Sequence, residues 1–146
     1  MNQSTILLVE DNESDAELTQ RAMAKNRMTN PLVVVDNGRQ ALDYLLGQGN
    51  FTGQEAPELP ALVLLDLNLP GMSGLEVLRQ IRAHERTRLL PVIMLTTSME
   101  DHDMTRSYEL GANSYIRKPV DYNEFVQTIN LIGIYWLEIN QPPPNH

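Results

Sequence analysis

The sequence predicts an α/β fold: a five-stranded parallel sheet, doubly wound, with helices on both faces. Three observations predict it. Short unbroken aliphatic runs recur along the chain, capped helical patterns fall between them, and each run gives way to polar or turn residues. A run that does not alternate polar and apolar is buried on both faces, as in a parallel sheet under helices. Strict alternation of strand and helix packs as such a sheet.

The first strand is Ile6-Leu7-Leu8-Val9, and Ser14-Asp15-Ala16-Glu17 is a capping-box pattern opening a helix to about Lys25. Leu32-Val33-Val34-Val35 makes the second strand. Asn37 caps the next helix, whose Ala41, Leu42, Leu45 and Leu46 form one apolar stripe. The third strand lies in Ala61-Leu62-Val63-Leu64-Leu65 and ends on Asp66, ahead of a Pro70-Gly71 turn. Ser73-Gly74-Leu75-Glu76 is a second capping box, with Leu78 and Ile81 on one face of its helix. Val92-Ile93-Met94-Leu95 is the fourth strand. A helix around Asp101 to Leu110 ends at Gly111, and Tyr115-Ile116 is a shorter fifth strand. Asp121 with Glu124 opens the last helix, reaching roughly Leu137. Right-handed crossovers leave few topologies, and the flavodoxin-like order is the common one at this size. One domain is expected over residues 1–140, with an exposed loop inserted at about 47–60. The proline-rich tail, 141–146, is expected to be extended and mobile.

At 146 residues the chain can bury a proper core. A net charge of −8 argues against nonspecific binding to nucleic acid or to an anionic membrane. Without cysteine there is no disulfide framework, thiol nucleophile or thiolate zinc site. No basic N-terminal segment precedes a long apolar stretch, so no signal peptide or membrane span is expected, and a cytoplasmic location fits. Gly47 to Gly53 is glycine-rich but follows a helix and has the wrong spacing for a dinucleotide fingerprint. His84, His102 and His146 are isolated and read as surface residues.

Strands of a doubly wound sheet end at one rim, and ligands bind there. The first strand ends in Glu10-Asp11 and the third in Asp66, so three carboxylates converge. Unneutralised they repel, which raises at least one pKa or loosens the site. A hard cation such as Mg2+ resolves the conflict, because it takes a few carboxylates and a backbone carbonyl and keeps its waters. Each acid alone has a plainer reading, as a turn former or a first-turn helix acid. Their coincidence at one rim favours the metal. The fourth strand ends in Thr96-Thr97-Ser98 and the fifth in Arg117-Lys118-Pro119. Taken singly, Thr96 is an ordinary strand-end threonine and Lys118 a solvated lysine. Together, a carboxylate nucleophile, a cation site, a hydroxyl and an ammonium are the parts needed to handle a phosphoryl group.

Val-Glu-Asp-Asn at 9–12, Leu-Asp-Leu-Asn-Leu-Pro-Gly-Met-Ser-Gly at 65–74, Leu-Thr-Thr at 95–97 and Arg-Lys-Pro at 117–119 resemble the motifs of the two-component response regulator receiver domain. The resemblance runs from about Thr5 to Leu137. It implies that Asp66 accepts a phosphoryl group from a histidine kinase. It implies that Glu10, Asp11, Asp66 and the Asn68 backbone carbonyl organise Mg2+, and that Thr96 and Lys118 contact the phosphoryl oxygens. Thr96 and Tyr115 stand where the family has its switch, and the Lys118-Pro119 bond is expected to be cis. The implied protein is a signalling phosphoacceptor that catalyses only its own phosphorylation and dephosphorylation.

Phe125, Val126, Ile129, Leu131, Ile132, Ile134, Tyr135, Trp136, Leu137 and Ile139 cannot all fit one stripe, and the excess predicts an exposed interface. A homodimer is expected through the fourth helix, fifth strand and fifth helix, including Phe125, Ile129, Ile132 and Trp136. The alternative is a helix end folded back over its own core. The inserted loop and the end of the chain also resemble small single-domain regulators paired with phytochrome-type histidine kinases. A phosphorelay intermediate, or a chemotaxis-type regulator of another kinase, is the alternative. A phosphoaspartyl hydrolase is less well supported, since that chemistry wants a second acid where Asn68 stands. In a flavodoxin, Glu10-Asp11 would repel the flavin phosphate.

Overall fold

Strands with no polar face must be covered twice, and the packing of this chain follows from that need. A computed structural model describes residues 4–49 and 58–144. The elements are β1 (Ile6–Val9), α1 (Glu13–Lys25), β2 (Leu32–Val35), α2 (Gly38–Leu46), β3 (Leu62–Leu65), α3 (Gly74–Ala83), β4 (Val92–Thr96), α4 (Asp101–Glu109), β5 (Ser114–Arg117) and α5 (Tyr122–Gly133). α5 continues as a π-helical turn, Ile134–Ile139. The sheet is parallel in the order β2-β1-β3-β4-β5, the expected flavodoxin-like arrangement.

Successive strand side chains point to opposite faces. Leu7, Val9, Val63, Leu65, Val92 and Met94 pack with Leu42 and Leu45 of α2 and Val77, Leu78 and Ile81 of α3. Ile6, Leu8, Leu62, Leu64, Ile93 and Leu95 pack with Ala22 and Met23 of α1 and Phe125, Ile129 and Ile132 of α5. The edge strands β2 and β5 have one neighbour each and are less buried.

Asn37, Ser73 and Asp121 cap α2, α3 and α5 as expected, accepting from the backbone N–H of Gln40, Glu76 and Glu124. The start of α1 differs from expectation. Asn12 is its cap, accepting from Asp15 N at 3.0 Å, so Ser14 and Asp15 lie inside the first turn. The last helix brings a second correction. Phe125, Ile129 and Ile132 are buried against the sheet, and Trp136 packs partly against the same cluster, so these residues do not form an outer interface. One helical face has to cover β1, β3 and β4, and these side chains supply it. On α5 and its π-helical continuation, the exposed large apolar residues are Leu131, Ile134, Tyr135 and Ile139.

The Lys118-Pro119 bond is trans, since no described peptide is cis. Trans is the lower-energy form of an X–Pro bond by only about 0.5–1 kcal/mol, so sequence alone discriminates poorly here. Of the expected inserted loop, residues 50–57 lie outside the described residues, as do 145–146 of the tail. Pro142 lines a cavity with Trp136, Leu137 and Asn140. No described helix is long and apolar enough to cross a membrane.

Candidate functional site

β1 and β3 run in register, with Val9 beside Leu65, so Glu10 and Asp66 leave the sheet side by side. The Asp66 N–H donates to Val9 O at 3.2 Å, and the Glu10 N–H to Val35 O at 3.0 Å, which ties both exits to neighbouring strands. Carboxylate oxygens of Glu10, Asp11 and Asp66 all lie within 4.8 Å of one another. Glu10 and Asp66 are buried and Asp11 is exposed. Beyond Asp66 the chain turns sharply. The Asn68 N–H donates to Asp66 Oδ1 at 3.2 Å, an Asx-type turn, and Gly71 adopts a left-handed φ of 72°. Gly74 then opens α3 directly against the strand end, its N–H donating to Leu67 O at 2.9 Å.

From the far edge of the sheet, Lys118 reaches across this cluster. Its Nζ donates to Glu10 Oε1 at 2.6 Å, Asp15 Oδ2 at 3.2 Å and Asp66 Oδ2 at 3.3 Å. Burial pushes the Glu10 carboxyl above its usual range. The Lys118 hydrogen bond and charge oppose the rise, and the nearby Asp66 charge adds to it. Burial alone would lower the Lys118 ammonium. The hydrogen bond to Glu10 and the charges of Asp66, Glu10 and Asp15 outweigh it and raise its pKa. The expected pKa rise among converging acids is therefore found at Glu10, with desolvation as its main cause.

Thr96, the last residue of β4, is fully buried, and its hydroxyl accepts from the Ser98 N–H at 3.2 Å. Ser98 Oγ in turn donates to Asp103 Oδ2 at 2.6 Å. Thr96 thus faces its own loop. Tyr115 on β5 packs partly against the α2–α3 core, and its hydroxyl is buried without a hydrogen-bond partner among the described residues. Sequence reasoning assigned no site role to Asp15. The structure supplies the missing piece: with Asn12 as the cap, Asp15 falls in the first turn of α1, beside the rim.

A doubly wound sheet carrying three acids and an ammonium at one rim is a frame for handling a phosphoryl group. The chain belongs to the response regulator receiver domain family, which matches residues 6–130. It is a signalling domain of two-component systems. It is 43% identical over 139 residues to FilR2, a probable methanogenesis regulatory protein of Methanothrix harundinacea, covering 94% of this chain and 86% of that protein. It is 35% identical over 133 residues to response regulator Rcp1 of Synechocystis, covering 91% and 88%. The Mn2+-bound crystal form of Rcp1 superposes with a TM-score of 0.86, at 35% identity over 96% of this chain and 99% of that one. The phosphorylated cyanobacterial phytochrome response regulator RcpA gives 0.88, at 35% identity over 97% and 99%.

Proposed function

We propose that Asp66 accepts a phosphoryl group from a histidine kinase and that the domain, spanning residues 1–140, passes the signal on through protein contacts. The observation that carries this reading is the Lys118 ammonium held between the Glu10 and Asp66 carboxylates at the strand rim. In the transfer, an Asp66 carboxylate oxygen forms a bond to phosphorus as the bond to the kinase imidazole nitrogen breaks. Such a reaction needs positioning and charge neutralisation more than acid–base chemistry. Lys118 supplies one cation at hydrogen-bond distance. Thr96 would give up the Ser98 N–H and donate its hydroxyl to a phosphoryl oxygen, and Tyr115, already packed against the core, would follow that movement, shifting the population towards the signalling form.

The donor set also fits a hard cation, because Glu10, Asp11, Asp66 and the Asn68 carbonyl offer oxygen alone. These residues would hold Mg2+, which supplies charge neutralisation for the transferred group. The Mn2+-bound form of Rcp1 supports this assignment. RcpA, a cyanobacterial phytochrome response regulator, also supports a phytochrome-type sensor kinase as partner, and a cytoplasmic site of action goes with that reading. The readout surface, in the same proposal, is a homodimer. Its strip is Leu131, Ile134, Tyr135 and Ile139, which the burial of the other α5 residues leaves outside.

Intact mass after acetyl phosphate and Mg2+ tests the acceptor. Wild type should gain one phosphoryl group and Asp66→Asn none; equal labelling of the two would sink the assignment. Light scattering with Mg2+ and beryllofluoride tests the dimer, whose strip is wrong if Leu131→Glu with Tyr135→Glu assembles like wild type.

A further inference from the structure

We propose that Asp15 is a positioning residue for Lys118, holding the ammonium beside Asp66 from the first turn of α1; this rests on the reading of Asp66 as acceptor. An ammonium has three N–H donors and here it has three carboxylate partners, Glu10 at 2.6 Å, Asp15 at 3.2 Å and Asp66 at 3.3 Å. The Lys118 side chain is only 9% exposed, so those partners replace its hydration. Two of them, Glu10 and Asp66, belong to the acidic group able to share a cation, and Asp15 does not. Asp15 is therefore the acceptor left to Lys118 when the other two are engaged. Its backbone is fixed on both sides. Asp15 N donates to the Asn12 cap at 3.0 Å, and Asp15 O accepts from Thr19 Oγ1 at 3.0 Å. The first turn of α1 thus presents the carboxylate from a rigid base, which suits a lysine on a flexible four-carbon stem.

Two roles for this charge predict opposite signs. As one more negative charge, Asp15 repels an anionic phosphoryl group, and its removal tightens binding. As a positioning residue it preorganises the ammonium, and its removal weakens binding. Asp15→Ala removes charge and acceptor together, at a side chain 36% exposed on a helix that alanine favours.

Two readouts apply. The first is the 15N–1H signal of the Lys118 ammonium, assigned by its loss in Lys118→Arg; it should be sharp in wild type and broadened away in Asp15→Ala. The second is affinity for beryllofluoride with Mg2+, which should fall roughly three- to fivefold, the range of a partly exposed ion pair. An unchanged ammonium signal, or tighter beryllofluoride binding, overturns the inference. If wild type ignores beryllofluoride while Asp15→Ala still loses the ammonium signal, the acceptor assignment fails and the hold of Asp15 on Lys118 stands.

Discussion

Lys118 Nζ hydrogen-bonds Glu10 Oε1 at 2.6 Å although two strands, β3 and β4, lie between β5 and β1. The contact ties the β5 edge of the sheet to the end of β1 and has a definite pH signature. The folded state raises the Lys118 pKa above its ordinary 10.5, despite the opposing effect of burial. Its contribution to stability is then fully present below 10.5 and is lost as pH rises through the folded value. Urea unfolding at about pH 9 and about pH 12 should show a larger alkaline loss for wild type than for Lys118→Met. Equal losses would mean that the ammonium is not held by its carboxylates.

Gly74 is the tightest point of the site. A Cβ built there falls against the backbone carbonyl oxygen of Asp66 and 2.8 Å from Leu67 Cα. Neither backbone group can yield without moving Asp66. Gly74→Ala should therefore cost about 2–3 kcal/mol, as overpacking against rigid neighbours does. Labelling by acetyl phosphate should slow as well. A variant with wild-type urea midpoint and labelling rate would show that the strand end gives way freely.

Arg82 joins three segments with one guanidinium. Its nitrogens donate to Gly111 O at 2.9 Å, Leu90 O at 2.8 Å, Arg88 O at 3.1 Å and Asn113 Oδ1 at 2.8 Å. No carboxylate is among these partners, and burial lowers the Arg82 pKa. Arg82→Ala should destabilise by about 2–3 kcal/mol because several acceptors lose their donor together. Arg82→Lys should not restore the loss, since an ammonium cannot reproduce the planar fork. Denaturant midpoints of both variants check this.

Tyr115 carries a buried hydroxyl with no hydrogen-bond partner among the described residues. Removing it should not harm the resting form: Tyr115→Phe is expected to match wild type or gain up to about 1 kcal/mol, the cost of an unsatisfied polar group relieved. If the hydroxyl finds its partner only in the phosphorylated form, the same variant should show a smaller beryllofluoride-induced change in backbone amide spectra. A large stability loss would instead place Tyr115 in a hydrogen bond of the resting form.

Much of the site could be read from sequence because topology carried it. Once Leu62–Leu65 is a strand buried on both faces, Asp66 must lie at the rim, and Glu10 must join it from the neighbouring strand. Asp15 escaped because Ser14 and Asn12 are both good caps, and only backbone geometry decides between them. The outer face of the last helix escaped for another reason. Ile134–Ile139 winds as a π-helix, which breaks the 3.6-residue period on which stripe arguments rest.

β1 and β3 are aliphatic on both faces, so nothing along their length distinguishes one alignment from the next. Where one face is polar, alternation fixes the alignment; here it cannot. Glu10 and Asp66 are the first residues of the two strands that cannot lie between the helix layers without a cationic partner. Sharing Lys118, they stand at the same height at the ends of both strands, as end-stops on a pair of rails. The two carboxylates at the rim thereby also serve as a ruler for the alignment of β1 against β3.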